Sequence, residues 1–507
     1  MPRMRDSRGK PRIPWRRPSE LTRLVGFNAM AQVAPLVVAF ALTPLLLHRL
    51  GLDQFGIWSL ALVVLTTLTT LDGGLSASLA RFFAIYAARG ASAEAGRLLL
   101  GALLLFLVLG LVLSLAAFPL VPVIVPLLHV PRHLTGQAVS VLRWLPPLAM
   151  LGLMADAIAA VLEGNSQFRG LSAAMLASSA AYAALVVILL WNGGNVSALL
   201  VATGVRYAML AVMSVLFAAR QLTFERPLLP SRIAARQLWH FSSRMQLSAV
   251  TGFVNTQMDA FVIAAFLPVR YVGLYGIGMQ AASAVRSVPL YVFPPMLARF
   301  ARTFGNEGRG ATVAQFETME RRWLPAVLGY GVIAVAAIGF GVPVWLGNSY
   351  VLGGLTAAIL LVGYTAHVGL TGMRTCYVRA IGRPGLETRY SLVWTVTNAV
   401  LTVPCALVAG ELGVVAATAG TGVLASVYFV WLCRRREQLA LVLPPRRWCL
   451  WAPVAVIVTV CGELLILQTK LHGYLPFALT AIPALVALLI LYEGARPVLS
   501  TVARLSS

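Results

Sequence analysis

Five ionisable side chains fall inside stretches that are otherwise apolar: Asp72, Asp156, Arg206, Asp259 and Arg286. A charge set among apolar side chains is costly unless it faces protein, water or a ligand, so each is a candidate for function. The planar fork of an arginine suits a carboxylate or a phosphate. Arg286 is the first candidate for that contact and Arg206 a second one, with Arg206 also able to serve packing alone. Asn255 and Asp259 are four residues apart and share a helix face. That face could hold sugar hydroxyls, a coupling proton or sodium ion, or a neighbouring arginine, or it could join two helices by polar contacts. Asn28 and Gln32 repeat the spacing in the first apolar run. Asp72 precedes Gly73-Gly74, so it either faces a cavity or caps a turn. Asp156 stands about two helical turns before Glu163 and suits an inner gate or packing. Arg143 and Arg374 lie nearer the ends of their runs.

The elements that must position these residues follow from composition. Of 507 residues, 59% are hydrophobic and 11% charged, too few charges to cover a soluble domain of this size. A net charge of +23 would suggest nucleic acid in a soluble protein. Here the basic residues stand between apolar runs and in the segment MPRMRDSRGKPRIPWRRPSELTR, where membrane orientation explains them and no nucleic-acid partner is expected. The apolar run after that segment has no small-residue cleavage site and reads as a first span. Cys376, Cys405, Cys433, Cys449 and Cys461 form no CxxC pair and no metal set with histidine, so they read as small apolar residues. No GxxxxGK[ST] sequence is present, which argues against an ATPase in this chain.

About 20 apolar residues cross a bilayer core of about 30 Å. Fourteen stretches qualify: 24–47, 56–80, 98–126, 139–162, 171–191, 197–219, 245–267, 271–296, 323–346, 351–373, 390–409, 412–433, 449–468 and 474–493. With that alternation, 33 of the 40 basic residues fall on one side and five on the other, which predicts an even number of spans and both termini in the cytoplasm. The loops on the other side are short, such as GLDQFG, LPVR and AGELG, and leave no room for a folded outer domain. Asp53 and Glu411 are the acids expected there. Tryptophans near span ends, among them Trp58, Trp144, Trp191, Trp323, Trp345 and Trp431, read as interfacial anchors. Pro294-Pro295 reads as a broken helix or a span end.

The first half is repeated in the second. Gly56-Ile57-Trp58 matches Gly273-Leu274-Tyr275 at an offset of 217, and Leu79-Ala80-Arg81-Phe82 matches Leu297-Ala298-Arg299-Phe300 at 218. Six helices form each copy, so both copies start on the same side, one of the two plans of transporter repeats. Arg81 and Arg299 fall at the inner mouth, where they anchor the helix ends or attract a phosphate headgroup. Asp72 and Arg286 are the charges at which the copies differ. The expected organisation is a basic tail (1–20), an N-lobe (21–219), a linker (220–244), a C-lobe (245–434), a loop (435–448), two further helices (449–494) and a tail (495–507).

Leu50-Gly51-Leu52-Asp53-Gln54-Phe55-Gly56-Ile57-Trp58, Leu71-Asp72-Gly73-Gly74-Leu75 and Leu79-Ala80-Arg81 resemble the opening signature of the polysaccharide exporters. That group includes the O-antigen-type flippases of the multidrug/oligosaccharidyl-lipid/polysaccharide superfamily. Asn255-Thr256-Gln257-Met258-Asp259 with Val272-Gly273-Leu274-Tyr275 resembles the matching signature of the second half. The resemblance implies an all-α polytopic membrane protein of about 14 helices, two six-helix bundles plus two, around a cavity lined by helices one, two, seven and eight. It implies a transporter, not an enzyme, that moves a prenyl-pyrophosphate-linked oligosaccharide across the bacterial cytoplasmic membrane for surface or exported polysaccharide. Partners would be the lipid-linked substrate, membrane lipids, and a polysaccharide polymerase with its chain-length machinery. No cofactor is expected beyond the coupling ion. A drug/cation antiporter of the same superfamily and a membrane polymerase or glycosyltransferase are the alternatives.

Overall fold

The computed structural model describes residues 18–70, 75–165, 167–219, 257–290 and 292–440, with Arg236 and Asn255 as single positions. Asp72, the 220–244 linker apart from Arg236, and the two C-terminal spans lie outside the described residues. So do Trp239 and Trp451. Among the described residues the chain is helical, with three short 3-10 turns and no strand. Eight helices among the described residues are long and apolar enough to cross a membrane. Hydrocarbon offers no partner for a free backbone amide or carbonyl, and a helix satisfies its own. The protein is an all-α polytopic membrane protein.

The helices are α1 (Pro18–Thr70), α2 (Leu75–Arg89), α3 (Ser92–Ile124), α4 (Thr135–Arg143), α5 (Leu145–Gly164), α6 (Phe168–Trp191) and α7 (Val196–Ala218). After them come α8 (Gln257–Phe266), then α9 (Val269–Leu290), α10 (Phe293–Leu346), α11 (Val351–Ala380) and α12 (Gly385–Glu437). Three of them are broken where the sequence predicts turns between spans: α1 at Gly51, α10 at Gly308 and α12 at Ala409-Gly410. Each break carries a glycine with φ between 60° and 79° and an extended ψ, a backbone region that essentially only glycine enters. Pro294 and Pro295 begin α10, where a missing amide hydrogen costs nothing, so the pair marks a helix start.

The helices are apolar on the outside as well as within. On α3 the exposed stripe is Leu104, Leu107, Val108, Leu111 and Leu115, at helical spacing, and its buried face includes Ala95, Gly96, Ala102 and Gly110. Hydroxyls are absorbed by the helices that carry them: Thr66 and Thr67 each donate to the carbonyl four residues earlier, at 2.8 Å. Such back-bonding lets the run TTLTT stay in a span.

The chain forms two compact units. Unit one comprises residues 1–46, 71–116 and 144–244, and unit two residues 47–70, 117–143 and 245–507. In unit one, α5 packs against its neighbours through glycines. A Cβ on Gly164 would strike the Ala80 carbonyl oxygen and the Phe83 side chain of α2, and one on Gly152 would lie 3.0 Å from the Tyr207 ring of α7. In unit two α11 is the most deeply buried helix. One core cluster gathers Ile263, Tyr275, Leu361, Tyr364 and Val414 with Leu60, and another gathers Phe300, Phe316, Tyr377, Tyr390, Trp394 and Phe429.

Two tryptophans depart from the interfacial role. Trp58 is 3% exposed and Trp323 9%, and the Trp323 indole donates to the Val368 carbonyl at 3.2 Å. At Trp323 a glycine of α11 leaves room for the ring: a Cβ on Gly372 would lie 3.1 Å from it. Trp144, Trp191, Trp345 and Trp431 are exposed, as anchors are.

Candidate functional site

The polar groups of unit two converge on Asp259. Helix α8 places it in the interior, 1% exposed. The Tyr275 hydroxyl of α9 donates to its Oδ2 at 3.4 Å. Thr418 Oγ1, from the second part of α12, lies 2.7 Å from both carboxylate oxygens and 3.0 Å from Asn398 Oδ1. Asn398 stands in the first part of α12, where its Oδ1 is also 3.0 Å from Thr402 Oγ1 and 3.4 Å from Thr421 Oγ1. Thr402 and Thr421 have good donor geometry to the carbonyls of Asn398 and Ala417, at 2.7 Å each. Thr418 has one hydroxyl proton for three close acceptors. Asn398 Nδ2 is buried with no hydrogen-bond partner among the described residues, and turning the amide over would let it donate to the threonine oxygens around it.

Asn255, one turn before Asp259 in sequence, is 4% exposed, and its Oδ1 is buried without a hydrogen-bond partner among the described residues. Glu411 is also internal. Expected in an outer loop, it is 3% exposed within α12 and accepts from Thr356 Oγ1 at 2.7 Å. The helix break falls one residue earlier, at Gly410, which turns Glu411 back into the bundle.

Arg286 lies farther along α9. It is eleven residues beyond Tyr275, about 16 Å by helix rise. The pair with Asp259 that sequence spacing left open does not form: among the described residues none of the ion pairs involves Arg286. Its guanidinium lies 4.5 Å from the centre of the Tyr364 ring of α11 instead. That face holds a cation by its quadrupole and leaves the N–H groups of the fork free to bind elsewhere. The Tyr364 hydroxyl points to the Met279 sulfur at 3.6 Å. One turn along α11, His367 Nδ1 is 2.9 Å from Ser426 Oγ, and its ring lies 4.7 Å from that of Trp394.

The other candidates are dispersed. Arg206 belongs to unit one, half-buried, with its guanidinium 6.0 Å from the Tyr182 ring. Asp156 is exposed on α5. Arg299 is exposed near the start of α10, next to the fully buried Phe300. Asn28 lies within α1 and Arg81 within α2. Asn255, Asp259, Arg286 and Arg299 thus belong to unit two, and Asn28, Arg81, Asp156 and Arg206 to unit one. Sequence spacing missed Asn398, Thr402, Thr418, Thr421 and Tyr364. The signal available was weak: Asn398 and Thr402, and Thr418 and Thr421, recur at helical spacing within apolar runs.

Residues 46–300 match the profile of a family described as polysaccharide biosynthesis protein. No curated protein matches the chain. Solved structures share its fold. One is a lipid II flippase, MurJ, in an inward closed conformation, at 12% identity and TM-score 0.68, covering 94% of this chain and 100% of that one. A second is an inward-facing multidrug resistance transporter of the MATE family within the MOP superfamily, at 16% identity and TM-score 0.63, covering 81% and 95%. A third is the MATE multidrug transporter DinF-BH, at 14% identity and TM-score 0.59, covering 83% and 96%.

Proposed function

Since the chain belongs to the polysaccharide biosynthesis protein family, we propose that it is a flippase for a prenyl-pyrophosphate-linked oligosaccharide in the bacterial cytoplasmic membrane. The supporting observation is Arg286, a guanidinium in an apolar span, held on the Tyr364 ring and joined to no acid among the described residues. A pyrophosphate supplies the charge and the acceptor geometry that this fork lacks. The sugar head enters the interior while the prenyl chain stays in lipid, and a change of access then releases the head outside.

The oxygen cluster at Asp259 is the coupling site in this reading. A proton or a sodium ion bound there neutralises the Asp259 carboxylate, which is buried and joined to no basic side chain among the described residues. Its entry and loss bias the helices that contribute ligands, α8 and both parts of α12. The chain itself forms and breaks no covalent bond in this scheme. A polymerase that consumes the translocated units would be the downstream partner.

Arg286→Ala should abolish export of surface polysaccharide and leave lipid-linked repeat units on the cytoplasmic leaflet, with normal amounts of the protein in the membrane. Arg286→Lys should restore only part of the export, because an ammonium is a point charge and cannot form the bidentate contact. Wild-type export by Arg286→Ala would remove Arg286 from the mechanism. Unchanged lipid-linked pools after deletion of the whole gene would reject this substrate class.

A further inference from the structure

The two copies of the glycine–aliphatic–aromatic motif touch each other. Gly51 breaks α1, and Pro268, 217 residues later, stands in the break between α8 and α9. Just beyond these breaks Asp53 and Arg270, also 217 apart, form a two-pronged ion pair, Nε to Oδ1 at 3.2 Å and Nη2 to Oδ2 at 3.4 Å. One turn on, a Cβ added to Gly56 would run into the Val269 carbonyl oxygen. A Cβ on Gly273 would lie 3.2 Å from the Leu52 carbonyl oxygen and 3.2 Å from the Gly56 nitrogen. A further turn along, a Cβ on Gly276 would lie 2.6 Å from Ser59 Oγ.

These contacts are reciprocal. Leu52 and Val269, Gly56 and Gly273, and Ser59 and Gly276 are equivalent positions at the same offset. Gly56 meets the partner of Leu52, and Gly273 meets Leu52 itself. Contact of i with j and of j with i marks a two-fold, self-complementary interface. Duplication has built one inside a single chain.

The interface is close yet weakly fastened. Glycine in both copies lets the two backbones approach. The ion-pair side chains are 55% and 31% exposed, so the pair aligns the segments and is screened by salt. The Val269 amide also donates to the His129 carbonyl at 3.2 Å, which brings the segment before α4 to the same end of the unit.

We propose that this contact is the closed outer gate of the transporter. The two motif copies part along their quasi-two-fold axis when the interior opens outward, and Asp53–Arg270 sets the register to which they return. The inference rests on the flippase reading above and on the outer placement of both segments by the distribution of basic residues.

The test uses the full chain in native membranes, with its cysteines replaced and Ser59→Cys as the reporter. Its reaction with a membrane-impermeant maleimide added from outside reads exposure of the interface and needs no substrate. Asp53→Arg and Arg270→Asp should each raise the labelling rate several-fold, by setting like charges opposite. The double variant Asp53→Arg/Arg270→Asp should return it to the parent rate. In a second arm, Asp53→Cys/Arg270→Cys bridged by a reducible bis-thiosulfonate should stop export until reductant is added. Labelling that ignores both reversals, or rises without rescue in the double variant, would overturn the gate. So would export at the parent rate by the bridged protein, or failure of the two cysteines to bridge. If deletion of the gene leaves lipid-linked pools unchanged while labelling follows the charges, the cargo is wrong and the gate stands.

Discussion

Arg374 and Glu320 form a buried ion pair in unit two. Their side chains are 1% and 0% exposed and paired, and Arg374 Nη1 also donates to the Leu370 carbonyl at 2.8 Å. Truncating one partner leaves a bare buried charge, at a cost of about 3–5 kcal/mol, whereas replacing both with apolar groups of similar volume is often neutral or better. Arg374→Leu should therefore sharply lower the temperature at which the detergent-purified protein aggregates, and Arg374→Leu/Glu320→Leu should recover most of the loss. A double variant no better than the single would show that the pair acts through something besides its charges. Neither partner could be matched from sequence: 54 residues separate them, and Arg374 read as a residue near a helix end. The same limit hid the Asp259 cluster. A lone aspartate in a span is conspicuous, but the threonines and asparagine that meet it look like ordinary helix residues until α12 folds back on itself.

Helices, by contrast, were largely legible, because bilayer thickness fixes the length of an apolar run and leaves the sequence little choice. The turns within α1, α10 and α12 fall at Gly51, Gly308 and Gly410, in or beside loops placed by composition alone. Composition does not say how sharp such a turn is, and backbone angles do. Gly308 has φ 79° and open space where a Cβ would be, so Gly308→Ala should cost about 1–3 kcal/mol through the backbone alone. Gly305, in the same helix, also has open space and carries no positive φ, so Gly305→Ala should stabilise by roughly 0.5–1 kcal/mol. Opposite shifts in thermal stability three residues apart are the expected result. Equal shifts would mean that the chain does not bend at Gly308.

For the whole molecule, the distribution of arginine makes the clearest commitment. Reporter domains inserted in the 220–244 linker or after Gly382 should be active in the cytoplasm, and those inserted at Gly193 or Gly347 active outside. A single insertion reporting the wrong side would break the alternation and with it the duplication of six helices. The repeated motifs and their offset were legible in the sequence, since both are properties of a string. The sequence could not show that the copies touch, because contact depends on how the helices are assembled. At the Asp53–Arg270 contact the two facts meet, and they bear on ancestry. A six-helix ancestor that met a second copy of itself by this face would have set identical residues against each other on the two-fold axis, and two aspartates or two arginines there would repel. Opposite charge at such a joint therefore requires two copies that can change separately, as two halves of one chain can.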